Sequence, residues 1–241
     1  MGSGLRRVTR ALAAALVFTA LAATAAGATS PPGDTAIARA GTFVVADFPA
    51  GFASEPASST SHGDNIRLAK GIDGCAPYIT LQKAVSSLPQ ARSSRFGQAS
   101  SSIGNEVDVF PAERAASAAL VLYAKSSIVG CLENLFEKQT RQDPDLRAKL
   151  DDAVVNLDRQ DIAGLGDDSV VYEGSIALTR TDGSSQQLAI GSAAVRVGRT
   201  VDVVTYTSTG TSTGDSLTDV LTPAIDASVA RLRTALARNA S

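Results

Sequence analysis

The sequence predicts an α+β fold in which helices cover an antiparallel sheet, and three stretches carry that expectation. From Val170 to Thr179 two residue sets alternate with a period of two, Val170, Tyr172, Gly174, Ile176 and Leu178 against their neighbours, as in a half-buried strand. An alanine-rich run from Ala112 to Val129 puts Ala116, Leu120 and Tyr123 on one helical face. Near the C-terminus Leu221, Ile225, Val229, Leu232 and Leu236 form a second helical stripe.

Taken in order, the chain opens on a secretory signal. Arg6, Arg7 and Arg10 precede an uncharged run from Ala11 to Ala26, and Ala26-Gly27-Ala28 supplies a small-residue exit with cleavage expected before Thr29. No cysteine stands at the cut, so no lipid anchor is expected. The run is too short and too rich in alanine to span about 30 Å of hydrocarbon comfortably, and no later stretch is long or apolar enough to be expected to span. Residues 1–28 are therefore expected to be removed, 29–41 to form a flexible, small and polar leader, and 42–241 to form a single domain.

Thr42 to Phe48 predicts a first strand, stopped by Pro49 and Gly51, and Ser54 to Asp64 a loop. Ile72 to Leu88 predicts a short helix through Leu81, Val85 and Leu88. Ala99 to Phe110 is extended, and Pro111 stands ahead of the alanine-rich helix, which Gly130 interrupts before a further helical piece from Cys131 to Arg141. Asp182-Gly183 turns the Val170 strand into Gln186 to Val197, where a change of apolar phase across Gly191 suggests a bulge. Gly198-Arg199 turns that strand into Thr200 to Thr207. Two-residue links join antiparallel neighbours, so the three strands form a C-terminal meander. Ser208 to Gly214 is a flexible link to the terminal helix, in which Pro223 marks a first turn or a kink.

Composition narrows the partners. The chain has 22 Lys+Arg and 24 Asp+Glu; the signal removes three arginines and no acid, leaving 19 against 24, about −5. A mildly acidic exported chain does not suit a polyanion, so nucleic acid is not expected. Cys75 and Cys131 are an even pair in an oxidising compartment and predict one disulfide, which would stabilise by about 4 kcal/mol at most.

Chemistry is sparse. Gly210-Thr211-Ser212-Thr213-Gly214 fits G-x-S-x-G, but a nucleophile elbow needs a histidine after the serine, and the only histidine, His62, lies upstream. His62, between Ser61 and Gly63, is expected to be a solvated loop residue. One histidine and two bonded cysteines do not assemble a zinc site, so no metal and no cofactor are expected. Asp151-Asp152 and Asp167-Asp168 could pair for glycoside chemistry, yet adjacent acids on a turn face water, and Gly164 to Asp168 forms the turn into the Val170 strand. Dinucleotide and phosphate-loop glycine spacings do not occur. Asn239-Ala240-Ser241 matches a glycosylation sequon and is given no weight. Tyr123, Tyr172 and Tyr206 could line an apolar groove, although rings at such spacings are usually core. No catalytic residue is assigned, and ligand-binding residues stay unassigned.

Four segments, Asp47 to Phe52 (DFPAGF), Ala112 to Cys131, Gly164 to Asp168 (GLGDD) and Ala193 to Val204 (AAVRVGRTVDVV), resemble secreted actinobacterial proteins similar to the extracellular sensor domain of mycobacterial serine/threonine kinases. This chain has one cysteine pair where those domains carry two. The resemblance implies a disulfide-supported sheet-and-helix domain with a cleft, a non-enzymatic role in sensing or binding a small molecule or envelope component, and an extracellular or envelope location. The alternatives are a carrier of lipid or other apolar molecules and, last, a hydrolase.

Overall fold

The structure, a computed structural model, describes residues 32–56, 61–98, 101–143, 146–209 and 217–239. The signal segment and the Gly210 to Gly214 run lie outside the described residues. The expected α+β fold is present: among the described residues, six helices pack on one eight-stranded antiparallel sheet.

Helix α1 (Pro32–Gly41) occupies most of the expected flexible leader. A proline at the first helical position and Asp34 in the first turn favour this start. Ile37 and Ala38 are fully buried, so a segment of small and polar residues still offers an apolar face. A side chain at Gly41 would collide with Leu232, so glycine permits the close approach of α1 to the terminal helix.

The strand expected over Thr42 to Phe48 is absent; Val45–Asp47 forms a 3₁₀ turn. Asp47 causes this. Its carboxylate accepts the Val44 N–H at 2.9 Å and both Arg231 terminal nitrogens at 2.7 and 2.8 Å, pulling the chain into a corner. Strand β1 (Ala53–Glu55) and helix α2 (His62–Ala69) take up part of the expected Ser54 to Asp64 loop. A reciprocal capping box starts α2: Ser61 Oγ accepts the Asp64 N–H at 3.2 Å, and the Asp64 carboxylate accepts the Ser61 N–H at 3.1 Å.

Helix α3 (Ala76–Val85) follows with Pro77 in its first turn. Strands β2 (Gln90–Arg92) and β3 (Arg95–Gln98) lie end to end along β4 (Ser101–Val109). Helices α4 (Glu113–Tyr123) and α5 (Ser126–Gln142) meet at a 67° bend around Ala124 and Lys125. Gly130 and Cys131 thus lie within α5, not at the expected break. No single helix among the described residues is long and apolar enough to cross a membrane.

The C-terminal meander has four strands where three are expected: β5 (Leu150–Gln160), β6 (Asp168–Arg180), β7 (Ser185–Val197) and β8 (Thr200–Ser208). The sheet order is β1-β3-β4-β8-β7-β6-β5, with β2 also on β4. The Gly191 bulge is not formed, since the β6–β7 register runs unbroken through Glu173↔Gly191. The apolar phase changes because the sheet is covered on both sides there. Ala193, Val195 and Val197 pack under α1 and the terminal helix α6 (Leu217–Asn239), while Ala194 packs in the opposite core.

Two cores result. Helices α2 to α5 cover one face around Tyr78, Leu120, Leu135, Tyr172 and Ile190. Helices α1 and α6 cover the β4–β8 end of the other around Phe48, Ile103, Val195 and Leu232. Cys75 and Cys131 form the expected disulfide, Cα to Cα 5.0 Å, joining the start of α3 to α5.

Candidate functional site

Two polar features stand out, and both involve α2. A groove of about 560 Å³ opens between the α2–α3 loop and the outer side of α5. Gly71, Ile72 and Asp73 form one wall, and Asn134, Glu137, Lys138, Arg141 and Gln142 the other. Positions 134, 138 and 142 stand four apart, as do 137 and 141, so one stripe of α5 faces the opening.

Covalent and polar ties fix those walls. The disulfide joins the end of the loop to the second turn of α5. Lys138 Nζ donates to the carbonyls of Leu68 at 2.8 Å and Lys70 at 3.4 Å, closing the C-terminus of α2 as a cation should. Arg141 pairs with Asp152 and donates to the Ala153 carbonyl at 3.0 Å. The Glu137 carboxylate accepts the Val155 N–H at 3.1 Å. These charged groups therefore build the groove, and Asn134 and Gln142 lie exposed at its edge.

The second feature lies beneath the start of α2. His62 is buried, with Nδ1 2.9 Å from Gln82 Oε1 on α3, and Nε2 2.9 Å from Gln90 Oε1 on β2 and 3.2 Å from Glu106 Oε1 on β4. The other Glu106 oxygen takes Arg92 Nε. Burial alone would push the imidazole down, but the Glu106 carboxylate, with Gln82 and Gln90, carries it above its ordinary 6.5. Two residues along β4, burial and then the Glu106 charge push Asp108 well above the carboxylate range. The same two causes raise Tyr78. Asn65, the Gln82 amide nitrogen and both Asp108 oxygens are buried with no hydrogen-bond partner. An apolar cavity of about 10 Å³, room for roughly one water, touches Asp108.

The structure thus corrects the reading of His62 as a solvated loop residue: it is the first residue of α2 and sits in a buried polar cluster. The signal that could have found it is the Ser61-x-x-Asp64 capping pattern. Asp151 and Asp152 lie on β5, where Asp152 pairs with Arg141. Asp167 does not simply face water; it accepts the Gly198 N–H at 2.7 Å and lies 3.2 Å from Arg233. Asp168 is exposed at the start of β6. Tyr123 and Tyr172 are core, and their hydroxyls bond within the protein, to Ser192 Oγ at 2.6 Å and to the Tyr123 carbonyl at 2.7 Å. Ser212 lies outside the described residues. Among the described residues, no group of three or more His, Cys, Asp or Glu side chains could hold a metal ion.

No protein-family model matches the chain, and no curated protein matches it. Among solved structures, the chain resembles the extracellular domain of PknH from Mycobacterium tuberculosis, at 9% sequence identity over 76% of this chain and 81% of that one, with a TM-score of 0.34.

Proposed function

We propose that the chain is an exported, non-catalytic ligand-binding domain of the sensor-like kind, acting at the cell envelope or exterior, with the groove beside α5 as its ligand site. The groove carries this proposal. Its volume of about 560 Å³ falls within the roughly 300–1,000 Å³ of small-molecule sites, and a disulfide and Lys138 hold its walls. Its lining suits a polar molecule or envelope component. Export is supported by the N-terminal charge-and-apolar pattern and by a disulfide that suits an oxidising compartment. The motif resemblance to extracellular sensor domains points the same way. A binding role is favoured over hydrolysis by the partners of His62, which are amides, a carboxylate and a guanidinium rather than a nucleophile. A polar ligand is favoured over an apolar one at this site by the amide and charged side chains that line the groove.

The test incubates the mature protein with cell-envelope extract and follows its melting temperature and its native mass. A stabilised species with a bound adduct is expected, and Asn134→Trp, which fills the groove from an exposed position, should weaken that binding at least tenfold. No shift and no adduct from any fraction, or full binding by Asn134→Trp, would overturn the proposal.

A further inference from the structure

We propose that His62 is a proton-binding site that latches α2 onto the sheet: as an imidazolium it ties the helix to α3, β2 and β4, and loss of the proton releases it. Hydrogen-bond counting at the ring carries the inference. Nε2 faces two acceptors, the Gln90 amide oxygen at 2.9 Å and a Glu106 carboxylate oxygen at 3.2 Å, so it bears a hydrogen. Nδ1 faces the Gln82 amide oxygen at 2.9 Å and needs a hydrogen of its own. A neutral imidazole carries one such hydrogen, whereas this arrangement uses two.

The surroundings set the balance. From α3 come the neutral Gln82 and the phenol Tyr78. From β2 come Gln90 and the Arg92 guanidinium, whose Nη2 lies 3.5 Å from Nε2 and opposes the positive charge. From β4 comes Glu106, which favours the charge, with Asp108 beyond it, whose own proton burial and the Glu106 charge hold more tightly. From α5 comes Lys138, which binds carbonyls at the far end of α2. On α2 itself Asp64 and Arg67 pair with each other at 2.8 Å, both more exposed than His62. Deprotonation therefore breaks the tie at Nδ1 or Nε2 while leaving Glu106 paired with Arg92. Glu106 keeps its ion pair with Arg92, so the tie can open without unfolding the sheet.

The consequence reaches the groove, because α2 runs directly into the Gly71 to Asp73 wall. That consequence for a ligand rests on the groove being the binding site; the latch itself does not. His62 is the only histidine in the chain, so its imidazole Cε1–H resonance is unambiguous in a pH titration by NMR. We expect a midpoint above 6.5, with hydrogen-exchange protection of the 62–69 amides falling at least tenfold as pH rises through it. Glu106→Gln should lower the midpoint. The wild-type titration needs no ligand and no variant to fold. A midpoint at or below 6.5, or α2 protection that stays constant across the midpoint, would overturn the proposal, whatever the groove binds.

Discussion

Asp202 shows how one proton is specified by geometry. The Ser228 hydroxyl lies 2.8 Å from the Gly41 carbonyl and 2.6 Å from Asp202 Oδ2, yet it has one hydrogen and faces two acceptors. The arrangement closes if Asp202 is protonated, donating to Ser228 while Ser228 donates to Gly41. Burial lifts the Asp202 carboxyl to about 7, against the hydrogen bonds from Ser228 and Asn105 and the charge of Arg231. A carboxyl held neutral in this way costs stability once it ionises. Asp202→Asn keeps an acceptor for Asn105 and a donor for Ser228 without that charge. It should therefore gain on the wild type between pH 5 and pH 8 by about 2–3 kcal/mol, the part of the roughly 4 kcal/mol carried by a shift of about three units that falls between those pH values. Urea denaturation at both pH values checks this, and a variant equally weakened at both would refute it. In the sequence Asp202 is merely a polar residue in an apolar strand. Its partners Asn105 and Ser228 stand 97 and 26 positions away, so only the sheet order reveals the site.

Elements were legible where one face is apolar and the other wet, as in α4, α6, β6 and their turns. They were obscure where polar side chains perform a structural task. Strand β5 carries Asp151, Asp152, Asn156 and Asp158, and as the sheet edge it leaves backbone groups unpaired. Helix α5 supplies the partners: Glu133 accepts from Leu157 N–H at 2.9 Å, Glu137 from Val155 N–H at 3.1 Å, and Arg141 donates to the Ala153 carbonyl at 3.0 Å. Four helical residues rise about 6 Å, close to the roughly 6.6 Å of two strand residues, so the stripe at spacing four matches the ladder. The same helix lines the groove, and a sequence scan sees only a charged helix face. Replacing both Glu133 and Glu137 by Ala should cost about 1–3 kcal/mol in urea and make light scattering depend on protein concentration. Unchanged stability with no association would show that the edge needs no cover.

At the scale of the whole molecule the titrating groups divide into two sets with opposite signs. His62 is raised above its ordinary value, so the stability it contributes is present below 6.5 and lost as pH rises through its folded value. Asp108 and Asp202, both lifted chiefly by burial, and Glu173, lifted by burial, also bind protons more tightly when folded. They too destabilise the fold as pH climbs above the ordinary carboxylate range. The other set is held low: Asp64 by the Ser61 backbone, Asp152 by Arg141, Asp167 by the Gly198 N–H and Asp182 by Ser184. Their contributions are present above the ordinary 3.8 and fade as pH falls through their folded values. Both sets are satisfied together only in mild acid. The melting temperature should therefore peak between about pH 4 and 6, falling toward pH 8 as the buried acids ionise and the His62 tie is lost, and falling below pH 4 as the surface carboxylates protonate. Calorimetric scans from pH 3 to 9 at fixed ionic strength measure this directly. A melting temperature that climbs steadily from pH 5 to 8 would mean that the buried carboxyls are ionised in the fold, contrary to the hydrogen-bond count at Ser228.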